Sequence, residues 1–184
     1  MLTFFLLEFV NYLATQRQMP WIKTGIYVSF PYMASAFGGL IGGITADRLI
    51  RGGGSVTFAR KLPVVSGMIM ASSLVLANWV PLGSDGIVIT IMSVAFFGQG
   101  MTNLGWTVLT DLAPKSMVGM AGGFFNMITN FAGILTPLIV NGILQFTHSY
   151  FYALVYVAAM PLIGAALYIF ALGDIKRLEV ATDI

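Results

Sequence analysis

Two runs of polar side chains interrupt an otherwise apolar chain. Gln99, Asn103, Trp106, Thr107 and Thr110 recur at three- and four-residue spacing, and Asn126, Asn130, Gly133, Pro137 and Asn141 repeat the pattern further on. On helices, each run falls on one face. Neutral amides, hydroxyls and an indole N–H exchange hydrogen bonds without carrying charge. Such a face either ties helices together inside a membrane, contributing about 0.6 kcal/mol per bond, or reads the hydroxyl groups of a polyol-like ligand. The spacing leaves both open.

Charge is placed elsewhere. Asp47-Arg48 and Arg51 follow a glycine-rich apolar stretch, and Arg60 and Lys61 end the loop behind them. A charge pair at a helix end can hold two bundles together in one conformation and release them in another. Asp47, an acid beside basic residues, is therefore the candidate gate together with Arg48 and Arg51, whereas Arg60 and Lys61 read as charges that set orientation. Glu8 is the one acid inside an apolar stretch. Burying it is expensive unless it is paired or protonated, which makes it a proton-coupling candidate. His148, the lone histidine, reads as a solvated turn residue.

The elements that must position these residues are membrane helices. Of 184 residues, 58% are hydrophobic and 9% charged, with a mean hydropathy of +0.88. A soluble domain carries about a quarter charged residues. Without cysteine there is no disulfide framework or thiolate nucleophile, and nothing calls for a metal or cofactor. No basic stripe with interleaved aromatics suggests nucleic acid. MLTFFLLEFV has neither a basic start nor a small-residue cleavage site, so it does not read as a signal peptide. There is no H-E-x-x-H, intramembrane aspartate pair or Ser/His pair at helical depth, so an enzyme is not expected.

Apolar segments are predicted at 1–14, 24–46, 62–80, 87–112, 120–146 and 150–172. A spanning helix needs about 20 apolar residues, and the last five segments qualify. Fourteen residues reach only about 21 Å, so the first reads as part of a longer helix. Arg48, Arg51, Arg60, Lys61, Lys115, Lys176 and Arg177 fall on one side of the membrane, against Arg17 and Lys23 on the other. The excess places both termini in the cytoplasm. Gly38, Gly39, Gly42 and Gly43 predict a close helix contact in the second segment, and Pro31 a bend. The segments form two triplets, each ending in its most lipid-like member. Ser35-Ala36-Phe37-Gly38-Gly39 echoes Thr129-Asn130-Phe131-Ala132-Gly133. Triplets of three crossings have opposite topology, the inverted-repeat logic of secondary transporters.

Gly43-x-x-x-Asp47-Arg48 followed by Arg51 resembles the cytoplasmic loop motif of the major facilitator superfamily, in the copy between its eighth and ninth helices. Ile50 stands where that motif usually has glycine. Thr57-Phe58-Ala59-Arg60-Lys61, Gly105-Trp106, Asp111-Leu112-Ala113-Pro114-Lys115 and Gly122-Gly123-Phe124-Phe125-Asn126 together resemble the anion:cation symporter branch. Its bacterial sugar-acid members, the glucarate, galactonate and hexuronate carriers, are the most similar. The resemblance covers essentially the whole chain.

That resemblance implies an all-α fold of twelve helices in two bundles around a central cavity, and proton-coupled uptake of an organic anion across the bacterial inner membrane. This chain would be the C-terminal half. Residues 1–173 would form its bundle, 174–184 a cytoplasmic tail, and part of the family's seventh helix would lie before Met1. The candidate substrate contacts are then Tyr12, Gln99, Trp106, Thr107, Asn126 and Asn130. At Glu8 the family usually has an aromatic residue. None of the five full segments carries a cation in its interior, so the arginine that pairs with a carboxylate and the acid that carries the proton would belong to a missing N-terminal half. The expected partners are that half, the lipid bilayer, a sugar acid and protons, and the chain alone is not expected to transport. The alternative is a six-helix scaffold that self-associates, or a truncated fragment without function.

Overall fold

The computed structural model describes residues 9–178, which are helical apart from turns and a C-terminal strap. Residues 9–11 are helical and run into a π turn at Tyr12–Gln16. Six α-helices follow: α1 (Trp21–Arg51), α2 (Val56–Ser72), α3 (Asp85–Thr102), α4 (Gly105–Leu112), α5 (Val118–Thr147) and α6 (Tyr150–Phe170). A 3-10 turn, Ser73–Trp79, extends α2. Glu8, the start of the first predicted segment and the end of the tail lie outside the described residues.

Helix ends follow local chemistry more than hydropathy. The 62–80 segment begins earlier, at Val56, because the Ser55 hydroxyl accepts the Phe58 N–H at 3.2 Å and caps the helix. The 24–46 segment runs on to Arg51, where Arg48 and Arg51 complement the negative end of the helix. The 87–112 segment is two helices. Around its break Asn103 and Leu104 bond three residues back, to Gly100 (3.1 Å) and Met101 (3.3 Å). The Thr102 hydroxyl donates to the Gln99 carbonyl at 2.7 Å. This local competition for backbone acceptors tightens the last turn.

Among the described residues, four helical stretches are long and apolar enough to cross a membrane: Val56–Trp79, Asp85–Leu112, Val118–Thr147 and Tyr150–Phe170. The sequence pattern also counted the segment that became α1. That helix has 31 residues, about 46 Å by its rise, but its glycine, serine, tyrosine and proline lower its hydropathy. Pro31 lies within α1 without ending it.

The core is built on close helix contacts. A Cβ on Gly38 would overlap the Phe97 carbonyl, and one on Gly100 the Ser35 carbonyl, so α1 and α3 touch backbone to backbone. Gly67 and Gly98 do the same between α2 and α3. Small residues allow this approach, and packing then replaces a hydrophobic force that lipid cannot supply. Phe96, Leu74, Met92 and Leu154 fill the space beside these contacts. α5 is different. Its second half leans on α6 and sends Val140 into the core, while most of its remaining side chains are exposed.

At one end of the bundle, Arg17 is a clamp and not the loop charge suggested by its place between segments. Its side chain is 4% exposed. The guanidinium donates to the carbonyls of Val80 (2.9 Å) and Pro81 (2.8 Å), where the 3-10 turn ends. Nε lies 3.8 Å from the Asp85 carboxylate at the start of α3. A buried guanidinium is tolerated when its donors find acceptors; here the two terminal nitrogens do, while Nε and Asp85 Oδ1 are buried without a hydrogen bond. Arg17→Met is expected to lower stability by about 1–3 kcal/mol, chiefly by leaving the Val80 and Pro81 carbonyls without a donor, and Arg17→Lys by less, because an ammonium keeps the charge but not the two-carbonyl fork. Thermal unfolding in detergent distinguishes them; equal melting temperatures for both variants and the wild type would remove the clamp.

Candidate ligand cleft and its neighbouring charge cluster

The break after Thr102 decides which side chains face the space beside α5. Gly105 and Trp106 restart the helix there, and Trp106 packs edge-on against Phe125 of α5, with ring centroids 4.8 Å apart. This aromatic contact props α4 against the first half of α5. Beside this contact α3, α4 and α5 leave a cleft of about 460 Å³. Gln99, Asn103 and Trp106 line one wall, and Asn126, Thr129 and Asn130 the other. Both predicted polar runs therefore reach one space.

Hydrogen bonding within each wall fixes some of these amides. Asn130 Nδ2 donates to the Asn126 carbonyl (2.8 Å) and to Asn126 Oδ1 (3.1 Å), pairing the two one helical turn apart. Gln99 Nε2 donates to the Thr102 hydroxyl at 3.2 Å. The Asn103 amide makes no hydrogen bond to any described residue. No cation is among the lining residues. The wall can therefore exchange hydrogen bonds with hydroxyls but offers a carboxylate no countercharge.

Two predicted substrate contacts lie elsewhere. Thr107 lines a second cavity of about 410 Å³ with Gly39, Gly43, Asp47, Arg60 and Asn103. It sits next to Trp106 on an eight-residue helix, where neighbouring positions point about 100° apart. Tyr12 is buried in the core at the Arg17 end, edge-on to Tyr150 at 5.6 Å. Thr129 and Phe125 stood in sequence motifs but were not among the expected ligand contacts; Thr129 lies three residues from Asn126, on the same face.

At the opposite end from Arg17, charges from three helices meet. Arg60 Nε of α2 donates to Asp111 Oδ2 of α4 at 2.9 Å, and Arg60 Nη1 lies 3.7 Å from Asp47 Oδ1 of α1. Asp47, the candidate gate acid, thus faces Arg60 and not Arg48 or Arg51. Arg48 and Arg51 are exposed and make no ion pair among the described residues. Arg60 and Lys61, which read as orientation charges, are structural: Lys61 Nζ donates to the Leu172 carbonyl at the end of α6. The strap after α6 crosses the same end. Ile175 is buried, its N–H donates to the Thr57 hydroxyl at 2.9 Å, and the Leu178 N–H donates to the Leu112 carbonyl at 2.9 Å.

No family model matches the chain. Individual proteins do. The chain is 43% identical over 176 residues to the probable galactarate/D-glucarate transporter GarP of Escherichia coli K12, an alignment covering 96% of this chain and 39% of that protein. It is 41% identical over 174 residues to the probable galactarate/D-glucarate transporter GudP of Bacillus subtilis, covering 95% of this chain and 38% of that protein. It is 37% identical over 176 residues to a D-galactonate transporter of Escherichia coli O6:H1, covering 96% of this chain and 40% of that protein. The chain therefore spans about two fifths of the length of these relatives.

Proposed function

We propose that this chain, a homologue of the galactarate/D-glucarate and D-galactonate transporters, is the hydroxyl-reading half of a secondary sugar-acid carrier. The observation that carries the proposal is the cleft: three helices present neutral amides, hydroxyls and an indole to one open space, with no cation among its lining residues. Sugar acids have a hydroxylated chain and a carboxylate. The chain's cleft suits the first, and the second needs a cation from elsewhere. In a rocking carrier with its site between two bundles, that cation and the proton-carrying acid sit on a complementary N-terminal bundle. Glu8 is the one proton-coupling candidate in this chain. The Lys/Arg excess supports a bacterial inner-membrane orientation with the Arg60 end and both termini in the cytoplasm. The Asp47–Arg60–Asp111 cluster then sits where a cytoplasmic gate would, joining three helices through one guanidinium.

The test is complementation. The chain is produced in a strain lacking sugar-acid carriers, alone and together with the part of the E. coli galactarate/D-glucarate transporter that lies outside the match. Uptake of labelled D-glucarate, galactarate and D-galactonate is then measured with and without a protonophore. The expected result is uptake by the pair, lost on collapse of the proton gradient, and none by either piece. Uptake by the chain alone would overturn the division of labour. A folded pair that takes up none of the three would overturn the sugar-acid assignment, and protonophore-resistant uptake the proton coupling.

A further inference from the structure

Two cavities lie on the same side of the bundle, and one residue lines both. The ligand cleft and the cavity holding Asp47 and Arg60 share Asn103 and no other lining residue. Asn103 sits at the break between α3 and α4, is exposed, and its amide has no hydrogen-bond partner among the described residues. In a chain whose other cleft amides Gln99, Asn126 and Asn130 are engaged with their own helices, this one is unengaged. It can donate and accept at once.

We propose that Asn103 is a hand-over residue, and that the second cavity is the path by which a hydroxylated carboxylate leaves the cleft for the cytoplasmic end. This rests on the sugar-acid reading above. The cavity of about 410 Å³ is comparable in volume to the cleft of about 460 Å³. Their chemistry differs. The cleft is neutral, whereas the second cavity is lined by Asp47 and Arg60, and that guanidinium is already paired with Asp47 and Asp111. An anion entering this cavity meets a guanidinium already engaged by two carboxylates, and so gains little from that charge. Gly43, beside which an added Cβ would meet nothing within 4 Å, leaves the α1 wall open. Asn103 keeps a hydrogen bond to the ligand's hydroxyls while the ligand gives up those of the cleft, lowering the barrier between the two positions. It acts on release more than on capture.

The experiment uses the complemented carrier with D-glucarate. Equilibrium binding gives Kd, and uptake gives kcat and KM. Asn103→Ala is expected to lower kcat about two- to tenfold, the effect of one neutral hydrogen bond, and to raise Kd by less, because the other cleft contacts remain. Asn103→Gln, which keeps the amide, should restore most of the rate, and Asn103→Asp should lower kcat further by setting an anion in the path. An unchanged kcat in Asn103→Ala at wild-type protein levels would overturn the inference while leaving the substrate reading intact. Equal losses in affinity and turnover would also overturn it, by making Asn103 an ordinary cleft contact. A wild-type carrier without D-glucarate uptake would overturn both.

Discussion

Gly100→Val is expected to prevent accumulation of folded protein in the membrane. The place of a Cβ at Gly100 is already occupied by the Ser35 carbonyl of α1, with the Gly39 backbone N–H beside it at 2.9 Å. Neither is the far end of a flexible side chain that can swing aside. Overpacking ordinarily costs about 1–3 kcal/mol, with larger values where backbone must move, and here it is backbone against backbone at the α1–α3 contact. Forcing α1 outward also shifts Gly38 off Phe97 and breaks the second half of the same seam. Gly43→Ala, on the facing helix α1 but beside open space, is the control and should fold normally. Membrane yield and size-exclusion profile in detergent check both. A well-folded Gly100→Val protein would mean that the seam is looser than the structure has it.

Trp106→Ala should produce the largest loss of transport among the cleft variants, at least about tenfold in kcat/KM in the complemented carrier. Two effects combine. The indole is a wall of the proposed site, and its edge-on contact with Phe125 is also what holds α4 against α5. Deleting a large aromatic from such a contact costs about 3–5 kcal/mol where it is fully packed; Trp106 is 45% exposed, so a smaller figure applies, divided between ligand contact and wall position. Asn126→Ala and Asn130→Ala should each weaken uptake about two- to tenfold. Because Asn130 donates to Asn126, their double variant should fall short of the product of the single effects. Uptake kinetics check all four. Unchanged KM and kcat in Trp106→Ala, Asn126→Ala and Asn130→Ala would remove the ligand from this cleft.

Much of this was legible in the residues. Lipid imposes a simple selection: a backbone without water must satisfy itself in helices, and apolar runs of spanning length mark where they lie. That reading found α2, α3, α5 and α6 as crossings. Spacing of three and four residues also put Gln99 and Trp106 on one stripe and Asn126 and Asn130 on another. Gly38 and Gly42 announced a tight neighbour, since on a lipid-embedded helix a missing side chain has few other uses.

Pairing across the chain was decided only in three dimensions. The amides and indole that the two polar stripes bring to the cleft lie twenty or more residues apart in sequence, and it is the α3–α4 break that turns them toward one cleft while leaving Thr107 in the next cavity. Hydropathy runs continuously through Asn103-Leu104 and gives no sign of that break, which is set by hydroxyl and carbonyl competition within one turn. Arg17 and Arg60 show the same limit from the side of charge. As letters, both are loop cations suited to fixing orientation. In the fold, one clamps the carbonyls of Val80 and Pro81, and the other bridges Asp47 and Asp111. Local composition sets which segments enter the bilayer, because transfer into lipid is close to a sum over residues. Which charges meet depends on how the helices cross, and that is a property of the packed bundle alone.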